Sequence, residues 1–430
     1  MLRISNVEVV GFWGDYAFDF NVFSDVTFLI GPNGTGKTTL INLLAAALTA
    51  DYRTLDRIPF RKITINLKGE TRATSPSISV AKARKQGRPF ESIEYRIKQS
   101  PKGPDIKYEI GEQEELYARR MLTDARYVDD FYRRAGGNVI KTLKDLVSVT
   151  WLSVQRAPTT SARPDDRPFE STIDAKLESQ SNDIVRYFAT LSAKKDELVR
   201  SFQEFIFASL LDQYGGEDSI FPAKKKSLDE YRKTLSSIFH ELAVDDGKAA
   251  AIISSYLKRV EVVRTKYRRK PSTRKPLPSD DAEILMGLAR IDAVIARWDE
   301  LQSAQDELFS QRDKFIQIVN ELLQRKKMNI SPSNELQFTS RTGKPLLRQV
   351  LSSGEKQLLI LLSETLLQRE RPYIFIADEP ELSLHVLWQE KLIASLRALN
   401  PAAQIIAATH SPDIVGALES QAIDMEELIP

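Results

Sequence analysis

The sequence predicts an α/β fold: a parallel-sheet domain, discontinuous along the chain, with an inserted block of helices. Three observations predict it. An apolar strand, "VTFLI" (26–30), runs straight into a glycine-rich loop and an apolar helix, "GPNGTGKTTLINLLAAALTA". Two further short apolar strands, "YIFIADEP" and "AQIIAATHSP", lie near the other end of the chain, and each ends in polar residues. Between the two regions, from about Thr172 to Gln324, apolar residues recur at helical spacing.

Composition narrows the class. With 430 residues the chain is too long for one compact core and suits two or three. It is 42% hydrophobic and 28% charged, which fits a globular protein. Lys+Arg is 61 against Asp+Glu 59, so net charge argues neither for nor against nucleic acid, and any basic surface must be local. There are no cysteines, which excludes disulfides and thiolate metal sites, a zinc hook included. "MLRISNVEVVGFWGDYAF" alternates like a strand and lacks a signal pattern, and no apolar run approaches the ~20 residues that cross a bilayer. We therefore expect a cytoplasmic protein with no membrane partner.

In order, residues 2–10 and 26–30 read as strands. In 51–112, "KITINLKG", "SIEYRIKQS" and "DIKYEIGE" alternate like strands, with a basic loop "KARKQGR" between the first two. Residues 113–147 look helical, and "LVSVTWLSVQ" reads as a buried strand ending at Gln155. "RAPTTSARPDDRPFEST" is a linker by composition. In the helical block, a stripe through Ile284, Leu288, Ile295, Trp298, Phe315 and Leu322 reads as helix–helix packing. "TKYRRKPSTRKPLPSDD" interrupts that block with a basic loop that includes Arg268, Arg269 and Lys270. "NELQFTSRTGKPL" reads as a hairpin turning near Thr342–Gly343. The division expected is 1–158 and 327–430 as one domain, with 159–326 inserted.

"GPNGTGKT" (Gly31–Thr38) fits G-x-x-x-x-G-K-[ST] between a strand and a helix, the context a phosphate-binding loop needs. Glycines let successive N–H groups turn toward phosphate oxygens, and the helix adds its positive end. Asn33, Gly34, Thr35, Gly36, Lys37, Thr38 and Thr39 are the expected binding residues. Lys37 reaches the β- and γ-phosphates, and the Thr38 hydroxyl ligates Mg²⁺. "YIFIADEP" delivers Asp378 to the carboxyl end of a strand, where open α/β sheets bind ligands. Asp378 would hold Mg²⁺ through its water shell, and Glu379 would polarise the attacking water. His410, at the tip of "QIIAATH", suits contact with the γ-phosphate. Gln155 either contacts Mg²⁺ or the attacking water, or is a surface glutamine. His385 follows the acidic pair and either lies at a subunit boundary or is incidental, and His240 receives no role. In "LSSGEKQLL", Ser352, Ser353 and Gly354 form an N-cap-like helix start with donors free for an anion.

"GPNGTGKT", "LSSGEKQ", "IFIADEP" and "ATHS", in that order, resemble the ABC-type ATPase heads of the SMC, RecF and OLD families. The resemblance covers roughly half the chain, and "SSGEKQLLILL…FIADEPELSLHVLWQ" is similar to OLD-like bacterial defence ATPases. It implies an α/β P-loop NTPase head, discontinuous, with an inserted α-helical domain. It further implies that two heads sandwich two ATPs, with Ser352 and Gly354 of one acting on the nucleotide of the other and 382–385 as interface loop. One such loop and one such serine per chain suit a homodimer or higher homo-oligomer. The chain departs from the family at "GFWG", where relatives carry an arginine in an "NFR" context; base stacking by Trp13 or Tyr16 stays open. The insertion is too short for an SMC coiled-coil arm. The chain runs 20 residues past His410 (430 − 410), so we expect no nuclease domain of its own. Stand-alone heads of this kind resemble the ATPase subunits of the PARIS and Septu systems, which implies slow, regulatory turnover and a separate nuclease or toxin effector in anti-phage defence. The alternative is an SMC/RecF-like repair ATPase that clamps DNA through "KARKQGR" and "KYRRKPSTRKP".

Overall fold

Strand β3 (Val26–Ile30) is buried along nearly its whole length, so it reads as an apolar run rather than an alternation. In the computed structural model it lies second from one edge of a five-stranded parallel sheet. The structure describes residues 2–69, 75–84, 91–100, 104–109, 137–153, 172–211, 226–267 and 278–429. The chain divides into two compact units, one of Met1–Tyr187 with Gln311–Pro430 and one of Phe188–Ser310.

The first unit carries the α/β fold, in the order β1 (Arg3–Phe12), β2 (Tyr16–Asn21), β3, α1 (Lys37–Thr49), α2 (Tyr52–Arg57), β4 (Lys62–Lys68), β5 (Ser77–Arg84), β6 (Glu91–Lys98), β7 (Asp105–Glu109), α3 (Gly137–Leu146) and β8 (Val149–Ser153). Helix α4 (Thr172–Leu211) leads out of it. Two helices of the second unit follow, α5 (Leu228–Glu241) and α6 (Asp246–Lys266), and α7 (Ser279–Leu322) leads back. Then come β9 (Lys326–Ile330), β10 (Leu336–Ser340), β11 (Pro345–Leu346), α8 (Ser353–Leu367), β12 (Ile374–Asp378), α9 (Val386–Leu399), β13 (Gln404–Ala408), α10 (Pro412–Val415), β14 (Ala422–Asp424) and α11 (Met425–Leu428).

The parallel sheet has the order β14-β3-β13-β12-β8, so early and late parts of the chain interleave. This is the discontinuous α/β architecture the sequence predicts. Register sets Leu29 against Ala408, and Ala408 against Asp378, whose other neighbour is Ser153. The carboxyl ends of β3, β13, β12 and β8 thus share one edge. A second, antiparallel sheet has the order β2-β1-β4-β5-β6-β7. Its β4 alternates strictly, with Ile63, Ile65 and Leu67 buried. Helix α1 is buried on nearly every side, because one core joins it to residues of both sheets. Buried Gln404 also ties the sheets: its Oε1 accepts from Ile4 N at 2.8 Å, and its Nε2 donates to Ile4 O at 2.8 Å and Phe23 O at 2.7 Å.

The second unit is helical around its own core, in which Phe202 and Trp298 pack at 5.5 Å with Tyr231, Leu257, Val260 and Ile295. Helix α5 starts with a capping box, Ser227 with Glu230.

One expectation needs correcting. "KARKQGR" is not a free loop at its start: Lys82, Ala83 and Arg84 belong to β5, whose Ile78 and Val80 face the core. Lys82 Nζ donates to Asp56 O at 2.9 Å and Ile58 O at 2.8 Å, so its charge is engaged within the fold. The stripe along α7 packs against helices as expected and serves two cores: Leu288, Ile295 and Trp298 pack in the second unit, and Phe315, Val319 and Leu322 are buried in the first. Most of 113–147, the remainder of "KARKQGR", Arg268, Arg269, Lys270 and Gln155 lie outside the described residues. No helix among the described residues is long and apolar enough to cross a membrane.

Replacing Gln404 with leucine leaves three backbone groups without their partner, the two of Ile4 in buried surroundings. Gln404→Leu is expected to lower the unfolding free energy in urea by about 3 kcal/mol, and a change below roughly 0.5 kcal/mol would show that the amide is not structural.

Candidate functional site

The loop between β3 and α1 is shaped by glycine. Gly36 has φ +89°, and an alanine Cβ there would lie 2.9 Å from the indole of Trp13, so both conformation and space demand glycine. Lys37 follows at the helix start and is only 4% exposed. Its Nζ donates to Gly31 O at 2.6 Å and Pro32 O at 2.8 Å. Burial lowers its pKa, against the carboxylates of Glu379, Asp378 and Asp424, which raise it. Thr35 Oγ1 donates to Pro32 O at 2.9 Å, while Asn33 and Gly34 are exposed at the tip and Thr39 is half-buried.

Thr38 Oγ1 donates to Asp378 Oδ1 at 3.0 Å. Burial pushes the Asp378 carboxyl up; the Thr38 hydrogen bond opposes this, and the charges of Glu379 and Glu381 add to it. A divalent cation would relieve that crowding. The donor set, a hydroxyl and a carboxylate, is oxygen only, which suits Mg²⁺. Among the described residues no group of three or more His, Cys, Asp or Glu could hold a metal by itself.

Glu379 stands at φ +45°, with its N–H bonded to Ala408 O at 2.8 Å. Its Oε1 lies 3.9 Å from His410 Nε2, and both side chains are about one-third exposed, at 32% and 36%. The geometry therefore brings together Lys37, Thr38, Asp378, Glu379 and His410 at one sheet edge.

Ser352, Ser353 and Gly354 form the start of α8. Ser352 is the N-cap: its Oγ accepts from Glu355 N at 3.3 Å, and its N–H donates to Glu355 Oε2 at 2.7 Å. Accepting that bond leaves the hydroxyl hydrogen free to donate. Lys326 Nζ sits 2.6 Å from Glu355 Oε2. Ser352 and Ser353 are exposed, whereas Gly354 is buried against the carbonyl of Ser383.

Residues 26–416, about nine-tenths of the chain, match the family described as "AAA domain, putative AbiEii toxin, Type IV TA system". The chain belongs to that AAA family. Solved structures to which it is similar include an Smc head domain with an extended coiled coil, bound to the C-terminal domain of ScpA, from Pyrococcus furiosus. That likeness has 13% identity over 99% of this chain and 93% of that one, with a TM-score of 0.37. Another is an Smc head domain with a coiled coil and joint from Pyrococcus yayanosii, at 14% identity over 99% and 95%, with a TM-score of 0.36.

In this AAA-family chain the remaining candidates fall as follows. His385 caps α9, its Nδ1 accepting from Leu387 N at 3.3 Å, and it is exposed. His240 belongs to the second unit, near Asp246. Trp13 stacks on Phe12 at 4.9 Å and is 40% exposed beside Gly36; Tyr16 is 37% exposed on β2. Sequence reasoning missed two carboxylates. Glu381 binds the His410 loop, and Asp424 lies against Gly31 on β14. A third acid so close behind Asp378 and Glu379 was the only available signal for Glu381.

Gly354 has no room for a side chain: a Cβ there would lie 2.4 Å from Ser383 O. Gly354→Ala is expected to cost about 1–3 kcal/mol through overpacking, measured by thermal unfolding. Ser353→Ala on the exposed neighbour should stay within roughly 0.5 kcal/mol; equal effects would remove the steric argument.

Proposed function

We propose that this AAA-family chain binds ATP with Mg²⁺ and hydrolyses it slowly, and that hydrolysis needs two copies closed around the nucleotides. The observation that carries this reading is the 3.0 Å hydrogen bond between Thr38 and Asp378. It brings the hydroxyl of the phosphate loop to the carboxylate ending β12, beside a buried lysine and the Glu379–His410 pair. In this reading Asn33, Gly34, Thr35, Gly36 and Thr39 line the phosphates, and Lys37 contacts the β- and γ-phosphates. Thr38 and Asp378 hold Mg²⁺, which when bound neutralises charge on the phosphate oxygens. Glu379 accepts a proton from water as its oxygen bonds to the γ-phosphorus. The bond from that phosphorus to the bridging oxygen breaks, and its electron pair leaves with ADP. His410 donates to the γ-phosphate. Gln155 is assigned to Mg²⁺ or the attacking water because the strand leading to it pairs Ser153 with Asp378.

The partner contribution rests on Ser352, Ser353 and Gly354. Ser352 is exposed with a hydroxyl hydrogen free to donate, and apolar Leu347, Val350, Leu382, Val386 and Leu387 are exposed in the segments around it. An apolar surface of that kind suits a subunit interface. We assign 1–158 and 327–430 to the ATPase head and 159–326 to the insertion that docks a separate effector, a nuclease or toxin, in cytoplasmic anti-phage defence. The toxin-type description of the matched family supports that last step.

Glu379→Gln is expected to bind ATP, lose turnover by about 100-fold or more, and elute as a dimer with ATP in light-scattering chromatography; wild-type turnover would remove Glu379 as the base. Lys37→Ala and Ser352→Arg should each be inactive alone. Mixed, they form heterodimers with one intact composite site, restoring about a quarter of wild-type activity. No restoration in a mixture shown to contain heterodimer would sink the shared site.

A further inference from the structure

Glu381 ties the two halves of the site together. It lies on the turn after β12, and its Oε1 accepts three hydrogen bonds from the loop after β13: Thr409 Oγ1 at 2.6 Å, His410 N at 2.8 Å and Ser411 N at 3.2 Å. Its Oε2 is buried without a hydrogen-bond partner among the described residues. Three donors converging on one oxygen fix the main chain of 409–411 against the turn that begins at Glu379. The bond from Glu379 N to Ala408 O ties the same two segments nearby. Together they set the 3.9 Å between His410 Nε2 and Glu379 Oε1.

The same block extends toward α8. Gln389, on α9, donates from Nε2 to Leu384 O at 2.9 Å and accepts from Ser411 Oγ at 2.6 Å. Leu384 N donates to Glu381 O at 2.8 Å. Ser383, inside this block, presses its carbonyl on Gly354, and the ring of Trp388 lies 3.4 Å from where a Gly354 Cβ would stand. The His410 loop and the helix start at Ser352 are thus joined through short contacts, with no loose segment between them.

We propose that Glu381 is a positioning residue: it holds His410 beside Glu379 and carries displacement of the His410 loop to the Ser352–Gly354 helix start. This rests on the ATP site proposed above. In a closed pair the group that senses one γ-phosphate is then coupled to the serine offered to the other nucleotide, so the two sites respond together. Charge alone does not account for Glu381. A residue needed only for its charge near Asp378 would be equally damaged by alanine and glutamine, whereas a positioning carboxylate is partly replaced by the amide oxygen of glutamine.

The test combines steady-state turnover with calorimetric titration of ADP and a non-hydrolysable ATP analogue, for wild type, Glu381→Ala, Glu381→Gln, His410→Ala and the Glu381→Ala/His410→Ala double variant. Glu381→Ala should bind ADP within about twofold of wild type, lower kcat about tenfold, and reduce the analogue-to-ADP affinity ratio as His410→Ala does. The double variant should be no worse than the worse single, and Glu381→Gln should recover to within about threefold of wild type. Should Glu381→Ala fail to fold, Thr409→Val, which deletes one donor, should lower kcat a few-fold at unchanged ADP affinity. Effects that multiply independently, glutamine as damaging as alanine, or Thr409→Val at wild-type kcat would overturn the inference and leave the site intact. A wild-type chain that neither binds nor hydrolyses ATP would instead overturn the reading of the site.

Discussion

Parallel pairing sets Leu29 opposite Ala408 and Ala408 opposite Asp378, and the chemistry at this edge follows from that register. A slip of one residue would turn every side chain of a strand to the opposite face. Asp378 would then leave Thr38, and His410 would leave Glu379. Buried polar side chains inside these runs help hold the register: Gln404 of β13 bonds to Ile4 and Phe23, and Thr27 of β3 accepts from Phe23 N.

What gathers at the edge is electrostatically awkward by design. A buried lysine and three carboxylates, Asp378, Glu379 and Glu381, act on one another in a small volume. Glu379 adds backbone strain, since φ +45° is uncommon for a residue with a side chain. Such strain persists only where surrounding contacts over-determine it, and the bond from Glu379 N to Ala408 O with the three bonds on Glu381 does so here. The cost is local, and what it secures is the 3.9 Å approach of the Glu379 carboxylate to His410.

The phosphate loop and the two late strands were legible because strand, loop and helix each leave a local pattern, and glycine and lysine sit at fixed offsets in "GPNGTGKT". The helix start at Ser352 was legible for a similar reason, its capping box being a four-residue signal. Strand β5 was not. Lys82 and Arg84 hide its alternation, and only contacts with α2 and the following loop show why a lysine belongs there. The α7 stripe has one period but serves two cores, which periodicity cannot separate. Glu381 and Asp424 escaped notice because their partners are distant in sequence. Only the fold brings Thr409 and Gly31 to them.

Gln404 bonds to Ile4, 400 residues earlier, and β3 lies between two strands that both come after residue 400. During synthesis the phosphate loop is therefore made long before the strands that flank it exist. β3 must stay unpaired, its apolar surface open to chance association, until residues beyond 400 have been made. Contacts of such sequence separation slow closure, since the entropy of a very large loop is lost before any of them forms. Until then the unpaired strand is a point at which a partly made chain can aggregate.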